Sequence, residues 1–477
     1  MDKKKILVFA LGPMLSAVIG FISIPIIAWI FSPEDVGRMN IFTIFMSLSV
    51  LLFILGLDQS YVREYHQSSD RYSLLKACFL PGFLLLLFAL LVSLQFADKL
   101  SMLLYGVHEP LWYQITAACV LANFASRFLA LVIRMQERGL AYSASQVLPK
   151  LTVLFILMGY LTFGVQNNYS SLLLAQFASV MVVVCVFGWN ARFEWLHAAK
   201  SRVDVAQLKK LLHFGIPLIG AGLAFWGLSA TSTIALRSLS DFKELGIYSM
   251  SMIFAGAATI FQSIFATVWW PMVYKWVASG EDLSKIDAVT QHVLALVCLI
   301  LVLTGMFSSV IDLLLPAEYV KVKYLIICSM VQPLLYTLSE ATVVGINITR
   351  RTKYAFFATA AALLTNAMLS YWLVPTLGAS GAAIANAVAF TVFFVARTEA
   401  SVFVWRKFPR RKMYLFIFTG VALSVLSVLY APLLSSYVGF AWAMLIPVIY
   451  ISFRAQWSNI LKILCGYILG GRKSKSA

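Results

Sequence analysis

Apolar windows long enough to cross a bilayer follow one another along the whole chain, and the polar stretches between them run to about 20 residues at most. Their approximate limits are 6–30, 40–57, 77–95, 113–133, 142–163, 171–190, 211–236, 247–268, 290–311, 324–346, 354–376, 381–404, 413–432 and 438–454. A helix crosses hydrocarbon on about 20 apolar residues because it satisfies its own backbone hydrogen bonds there. Fourteen such windows predict an all-α membrane protein of about 14 transmembrane helices. Composition agrees: 61% of the 477 residues are apolar and 12% charged, where soluble domains carry about 25% charged residues. A soluble enzyme, a secreted disulfide scaffold and a disordered chain are excluded. No loop has room for an inserted catalytic domain.

The net charge is +17. In a soluble protein such an excess suggests nucleic acid; in a membrane protein it marks the cytoplasmic side. With the N-terminus inside, 28 Lys and Arg fall in inner segments, six in outer loops (Arg38, Lys99, Arg237, Lys243, Lys321 and Lys323) and three within spans. This asymmetry predicts cytoplasmic N- and C-termini and an even number of spans, with no nucleic-acid partner. The stretch Ile6–Ile30 follows Lys3, Lys4 and Lys5 and lacks a small-residue cleavage site, so it reads as the first span rather than a signal peptide. None of the six cysteines forms a CxxC pair, and five lie in apolar runs, as small core residues do.

A repeat organises the spans. Phe9-Ala-Leu-Gly-Pro13 and the turn Ser32-Pro-Glu-Asp-Val-Gly37 have counterparts in Phe214-Gly-Ile-Pro217 and Ser240-Asp-Phe-Lys-Glu-Leu-Gly246. Six spans separate the copies, so both point the same way across the membrane. The expected plan is two six-helix lobes, 1–200 and 201–405, related by a parallel repeat, with the substrate between the halves. Two additional spans (406–454) and an amphipathic basic cytoplasmic tail (455–477) on the inner membrane surface complete it.

Ionisable groups inside spans cost about 2.5–3.5 kcal/mol each on insertion scales and mark functional positions by default. Asp58 and Arg63 close the second span. Asn123 and Arg127 share a face of the fourth, Gln146 and Lys150 a face of the fifth, and Gln332, Tyr336 and Glu340 a face of the tenth. Asn386, Arg397 and Glu399 fall in the twelfth, the last two on different faces. Each has two readings: an interfacial or interhelical ion pair, or the lining of a water-filled cavity. If Arg127, Lys150 and Arg397 converge, they form a cationic chamber for a phosphate or diphosphate, with Asn123 and Arg63 beside them. Asp58, Glu340 and Glu399 are the candidates for coupling to a proton or sodium ion. Trp226, Trp269, Trp270, Tyr274 and Tyr336 either stack on sugars or sit at the membrane interface. The sequence has no P-loop, HExxH or GxSxG motif, and its five histidines are dispersed, so no metal, cofactor or catalytic set is expected.

These segments, above all Gly56-Leu-Asp58-Gln59-Ser-Tyr61-Val-Arg63-Glu64-Tyr65-His66, make the chain resemble Wzx-type O-antigen or capsular repeat-unit flippases. These form the polysaccharide transporter branch of the multidrug/oligosaccharidyl-lipid/polysaccharide exporter superfamily. The resemblance covers about residues 1–400. It implies a V-shaped pair of six-helix lobes working by alternating access in the bacterial inner membrane. The implied substrate is an undecaprenyl-diphosphate-linked oligosaccharide, with ion-gradient coupling and a glycan polymerase and chain-length regulator as partners. Many members have twelve spans; the extra two here would form a groove for the lipid tail, as in related lipid II flippases. Two alternatives remain open: a lipid II or drug exporter of the same superfamily, and a membrane glycan polymerase. The basic intramembrane count disfavours a cationic drug, and the short outer loops disfavour a polymerase.

Overall fold

The computed structural model describes residues 3–164, 167–430 and 437–458, and among these the regular structure is helical throughout. Two units pack separately, Met1–Met250 and Ser251–Ala477.

The first unit holds α1 (Lys3–Ile30), α2 (Pro33–Phe53), α3 (Leu57–Glu64), α4 (Arg71–Leu94), α5 (Ala97–Tyr105) and α6 (Pro110–Met135). It continues through α7 (Gly139–Phe163), α8 (Tyr169–Asn190), α9 (Arg192–Lys200), α10 (Val205–Leu239) and most of α11 (Phe242–Ala255). Helix starts follow their sequence signals. Ser32 accepts the Asp35 N–H with Pro33 in the first turn, and Asp70, Asn168 and Asp204 cap α4, α8 and α10 in the same way. Gly106 and Gly164 end α5 and α7 in the left-handed region. Leu57, Tyr61, Cys78, Tyr105, Cys119 and Phe124 form the centre of its core.

The second unit holds α12 (Ala258–Ala278), α13 (Ser284–Met306), α14 (Ile311–Leu314), α15 (Val322–Thr342), α16 (Val344–Ile348) and α17 (Lys353–Leu377). It ends with α18 (Ala379–Val404), α19 (Arg411–Leu429), α20 (Val438–Ala443) and α21 (Leu445–Ser452). The helices α15 and α18 are central: 78% and 72% of their most apolar windows are buried, against 28% for α17 and α19. Alanines at 379, 382, 383, 385, 387 and 389 are all fully buried, and such small side chains let neighbouring backbones approach closely.

Eleven helices are long and apolar enough to cross a membrane, and the α11–α12 pair, bent by 43°, makes a twelfth span. The shorter apolar stretches Leu15–Ile30 and Val438–Ser452 bring the candidates to the fourteen expected. The protein is thus a polytopic all-α membrane protein. Where the repeat predicts a lobe boundary after residue 200, packing divides the chain at Met250, because α10 runs along α2 and α3. The two additional spans pack with the second unit, α19 against α13 and α15, and α20 and α21 against α13. Of the expected amphipathic tail, residues 459–477 lie outside the described residues.

The two repeated turns touch one another. Gly37 lies on the carbonyl of Phe242, and Gly246 lies on the carbonyl of Pro33. Each contacted residue stands four positions before the other glycine, so the contact is reciprocal. A Cβ at either glycine would overlap a backbone oxygen. Three positions beyond each glycine, Asn40 Nδ2 donates to Ser249 Oγ at 2.5 Å.

Candidate functional site

The motif from Gly56 to Glu64 is built as a dock for α10. Gly56 takes φ +66°, and its Cα faces the backbone of Gly215; a Cβ on Gly215 would stand 2.6 Å from the Leu55 oxygen. Ser60 Oγ donates to the Leu211 carbonyl at 3.0 Å, and the Arg63 guanidinium lies 4.4 Å from the centre of the Phe214 ring. This contact takes Arg63 away from the cavity described next and corrects its expected place there. Its charge is met by Glu64 at 3.6 Å.

The left-handed turn at Gly56 also aims Asp58 inward. Asp58 is buried, and its Oδ2 accepts from Arg127 Nη2 at 3.2 Å and from Gln59 Nε2 at 3.1 Å. The Asp58 side chain is 8% exposed, whereas that of Arg127 is 54% exposed. One edge of the guanidinium is therefore held while the rest faces open space. That space is a cavity of about 730 Å³ walled by α2, α3, α6, α7, α8 and α10. Asp58 and Arg127 are the charged residues lining it; Gln59, Asn123, Gln146 and Gln176 supply side-chain amides. Sequence reasoning reached Asn123 and Gln146 but passed over Gln176, although an amide inside an apolar run was the available signal. Trp226, for which a sugar-stacking and an interfacial place were open, donates to Ser47 Oγ at 3.0 Å.

Lys150 shares α7 with Gln146 and Pro149, yet it turns the other way. Its Nζ donates to the Ser16 carbonyl of α1 at 2.8 Å and covers Gly20, where a Cβ would stand 2.6 Å from the ammonium. The expectation of a cationic chamber is therefore corrected within this unit. The cavity wall carries a carboxylate–guanidinium pair among amides, and the lysine ties α7 to α1.

In the second unit Arg397 of α18 reaches Glu340 of α15, both Nη atoms standing 3.1 Å from Oε1. The side chains are 11% and 10% exposed. Ser339 Oγ accepts from Arg397 at 2.6 Å, and Glu340 Oε2 accepts from the Trp270 indole at 3.0 Å. Trp269, for which both a sugar-stacking and an interfacial place were open, is buried and donates to the Glu340 carbonyl at 3.1 Å. Along the same helix pair, Asn386 Nδ2 donates to Gln332 Oε1 at 2.7 Å, and Thr342 and Thr398 meet at 2.7 Å. Glu399, two residues from Arg397, faces away and accepts from Arg410 Nε at 2.6 Å and from the Tyr414 hydroxyl at 2.5 Å. Among the described residues no group of three or more His, Cys, Asp or Glu has metal-binding geometry.

A family model described as polysaccharide biosynthesis protein matches residues 3–277, more than half of the chain and the whole span that builds the cavity. The chain belongs to this polysaccharide biosynthesis family. A comparison with curated proteins found no match. Among solved structures, the lipid II flippase MurJ in an inward closed conformation is similar at 12% identity and a TM-score of 0.68, over 95% of this chain and 99% of that one. The MATE transporter VcmN of Vibrio cholerae matches at 14% identity and a TM-score of 0.57, over 83% and 95% of the two chains. An inward-facing multidrug resistance MATE family transporter of the MOP superfamily matches at 14% identity and a TM-score of 0.58, over 81% and 95%. At these identities the likeness establishes a shared fold. Within the polysaccharide family, then, this chain carries a MurJ- and MATE-like helical architecture.

Proposed function

We propose that the protein is a flippase. It moves an undecaprenyl-diphosphate-linked oligosaccharide, an O-antigen or capsule repeat unit, from the cytoplasmic to the periplasmic leaflet of the bacterial inner membrane. The observation that carries this reading is the half-open polar cavity within a bundle of spans, with Arg127 exposed on its wall. Side-chain amides suit the hydroxyls of a glycan, and a guanidinium with free N–H groups suits a phosphate. The polyprenyl chain stays in lipid. The family match and the shared fold with MurJ support a lipid-linked cargo.

The pairing of Arg127 with Asp58 adds a mechanism. A phosphate that takes the guanidinium leaves the buried Asp58 carboxylate without its partner, and a coupling ion, proton or sodium, would take that place. Substrate engagement and ion uptake are then linked through one pair. Glu340 with Arg397 is the corresponding pair in the second unit. Glu399, held by Arg410 and Tyr414, serves as an anchor rather than a coupling site. With cytoplasmic termini, as the loop charges predict, cargo is taken up on the synthesis side, and a polymerase and a chain-length regulator would receive it on the periplasmic side.

Proteoliposomes of the full chain, loaded with a fluorescent undecaprenyl-diphosphate oligosaccharide and read by an impermeant glycosidase, test the reading. Arg127→Ala should slow translocation at least about tenfold, since a charge-assisted hydrogen bond is worth about 1.5–3 kcal/mol. Protein yield should be unchanged. Unaltered translocation in that variant removes the assignment, and equal transport of lipid II by the native chain removes the choice of cargo.

A further inference from the structure

A second pair of cavities lies in the first unit, away from the wall that carries Arg127. One is an apolar groove of about 550 Å³ between α4, α6, α8 and α9, lined by Phe79, Leu80, Leu129 and Val184 among others. The second is a polar chamber of about 750 Å³ beside the α3–α4 connection, lined by His66, Ser68, Ser69 and Asp70 among others. Leu75, Val132 and Glu194 line both, so the two spaces adjoin.

Their order along the membrane normal follows from sequence position. The groove is lined mainly by residues of the spans α4, α6 and α8, whereas the chamber is built around the α3–α4 and α6–α7 connections and the helix ends beside them. The border is marked by Trp189, Phe193 and Trp195, all exposed, with the Arg192 guanidinium 4.6 Å from the rings of both Trp189 and Phe193. Such an aromatic and arginine belt sits at the level of lipid headgroups. An apolar slot that opens there into a polar chamber has the shape of an amphiphile.

Glu194 stands at the junction. Its Oε1 accepts from Gln136 Nε2 at 2.5 Å, while its Oε2 is buried and has no hydrogen-bond partner. A buried acceptor of this kind lacks one donor. The chamber's formal charges are Asp70, Glu137 and Glu194 against Arg71, whose guanidinium lies 4.7 Å from the centre of the Tyr65 ring. Three carboxylates disfavour an anionic phospholipid headgroup. Carboxylates, tyrosines and an amide together are groups that hydrogen-bond hydroxyls and pack against sugar rings. The chamber volume is within the range of ligand sites, about 300–1,000 Å³.

We propose that this unit carries a second lipid site, for an amphiphile with an uncharged, hydroxyl-rich sugar head. The chain lies in the groove beneath α9, the sugar occupies the chamber, and one hydroxyl donates to Glu194 Oε2. The site stands on its own lining and does not depend on the translocation reading.

The groove provides its own control. Gly188 of α8 lines it, and a Cβ there meets nothing within 4 Å, so a larger side chain fills the slot without a backbone clash. The test is photolabelling of the full-length protein in phosphatidylcholine nanodiscs, with adducts mapped by mass spectrometry. The probe is an alkyl glucoside bearing a diazirine in its chain, and the comparison probe is the matched alkyl phosphate. Adducts of the glucoside are expected on residues 75–80, 125–132 and 184–199. Labelling there should fall about tenfold in Gly188→Phe and in Glu194→Ala, and the alkyl phosphate should label no more than it labels the lipid-facing side of α7. Labelling that Gly188→Phe leaves intact overturns the groove. Labelling that Glu194→Ala leaves intact, or that the phosphate matches, overturns the sugar head. The readout involves no translocation, so failure here leaves the transport assay untouched, and loss of transport in Arg127→Ala leaves the labelling untouched.

Discussion

At the residue scale, each candidate carboxylate within the spans meets an arginine. Asp58 meets Arg127, Glu340 meets Arg397, and Glu399 meets Arg410. The pairs differ in burial, and burial decides what each can do. Arg397 and Glu340 are both almost enclosed, with Ser339 and Trp270 taking further bonds. Removing one partner strands the other charge, which costs about 3–5 kcal/mol in buried pairs, whereas replacing both by apolar groups of similar volume is far milder. Arg397→Leu should therefore lower the melting temperature in detergent sharply, and the double variant Glu340→Leu/Arg397→Leu should recover most of the loss. If the single and double variants melt alike, the pair is not the structural unit described. Asp58–Arg127 is half open, so its disruption should show in transport before it shows in stability. Spacing on the helices put Asp58 and Arg127 near the ends of their spans and on polar faces, but it did not show that they bond. Partner choice depends on which helices lie side by side, and one-dimensional order leaves that open.

At the scale of elements, the short helices carry much of the organisation. The arginines that read as outer-loop charges, Arg38 and Arg237, lie inside α2 and α10 and reach the C-terminus of α5. Arg38 Nε donates to the Tyr105 carbonyl at 3.2 Å, and Arg237 donates to the carbonyls of Met102, Leu103 and Leu104 at 3.0–3.1 Å. Cations there satisfy the orphan carbonyls and oppose the helix dipole. Next to them the two repeated turns clasp through Gly37 and Gly246. In the proposed alternating-access cycle the outer ends of the repeats part, and this clasp would open during transport. In a cysteine-free background, Asn40→Cys/Ser249→Cys should form a disulfide under mild oxidation, because the native side chains touch. The oxidised protein should lose translocation, and dithiothreitol should restore it. Full transport by the cross-linked form would show that the clasp need not part. Gly246→Val should fail more severely than any surface substitution, since its Cβ meets the Pro33 backbone oxygen.

At the scale of the whole molecule, topology is the property most open to a direct check. The loop-charge asymmetry puts the α9–α10 connection inside and α5 outside. A cysteine placed at Arg202 should be closed to an impermeant maleimide added to intact cells, and one placed at Lys99 should react. The reverse pattern would invert every side assignment made here, including the leaflet from which cargo is taken.

The helical fold class and, to within the two shorter apolar stretches, the count of spans were legible in the amino-acid order. Each follows from local rules: an apolar run of fixed length must cross hydrocarbon as a helix, and charge near its ends biases which side they occupy. The order of residues also singled out Asp58, Glu340 and Arg397, because a charge within an apolar run is expensive wherever the fold places it, but not Asp35 or Glu194, which lie in polar stretches. Only tertiary structure decided the partners. It turned Lys150 onto the α1 backbone, set Arg63 on a phenyl ring, gave Arg397 to Glu340 and left Arg127 facing a cavity. Those outcomes rest on contacts between residues tens to hundreds of positions apart, made over a few ångströms, and hydrophobic periodicity carries no record of which helices become neighbours.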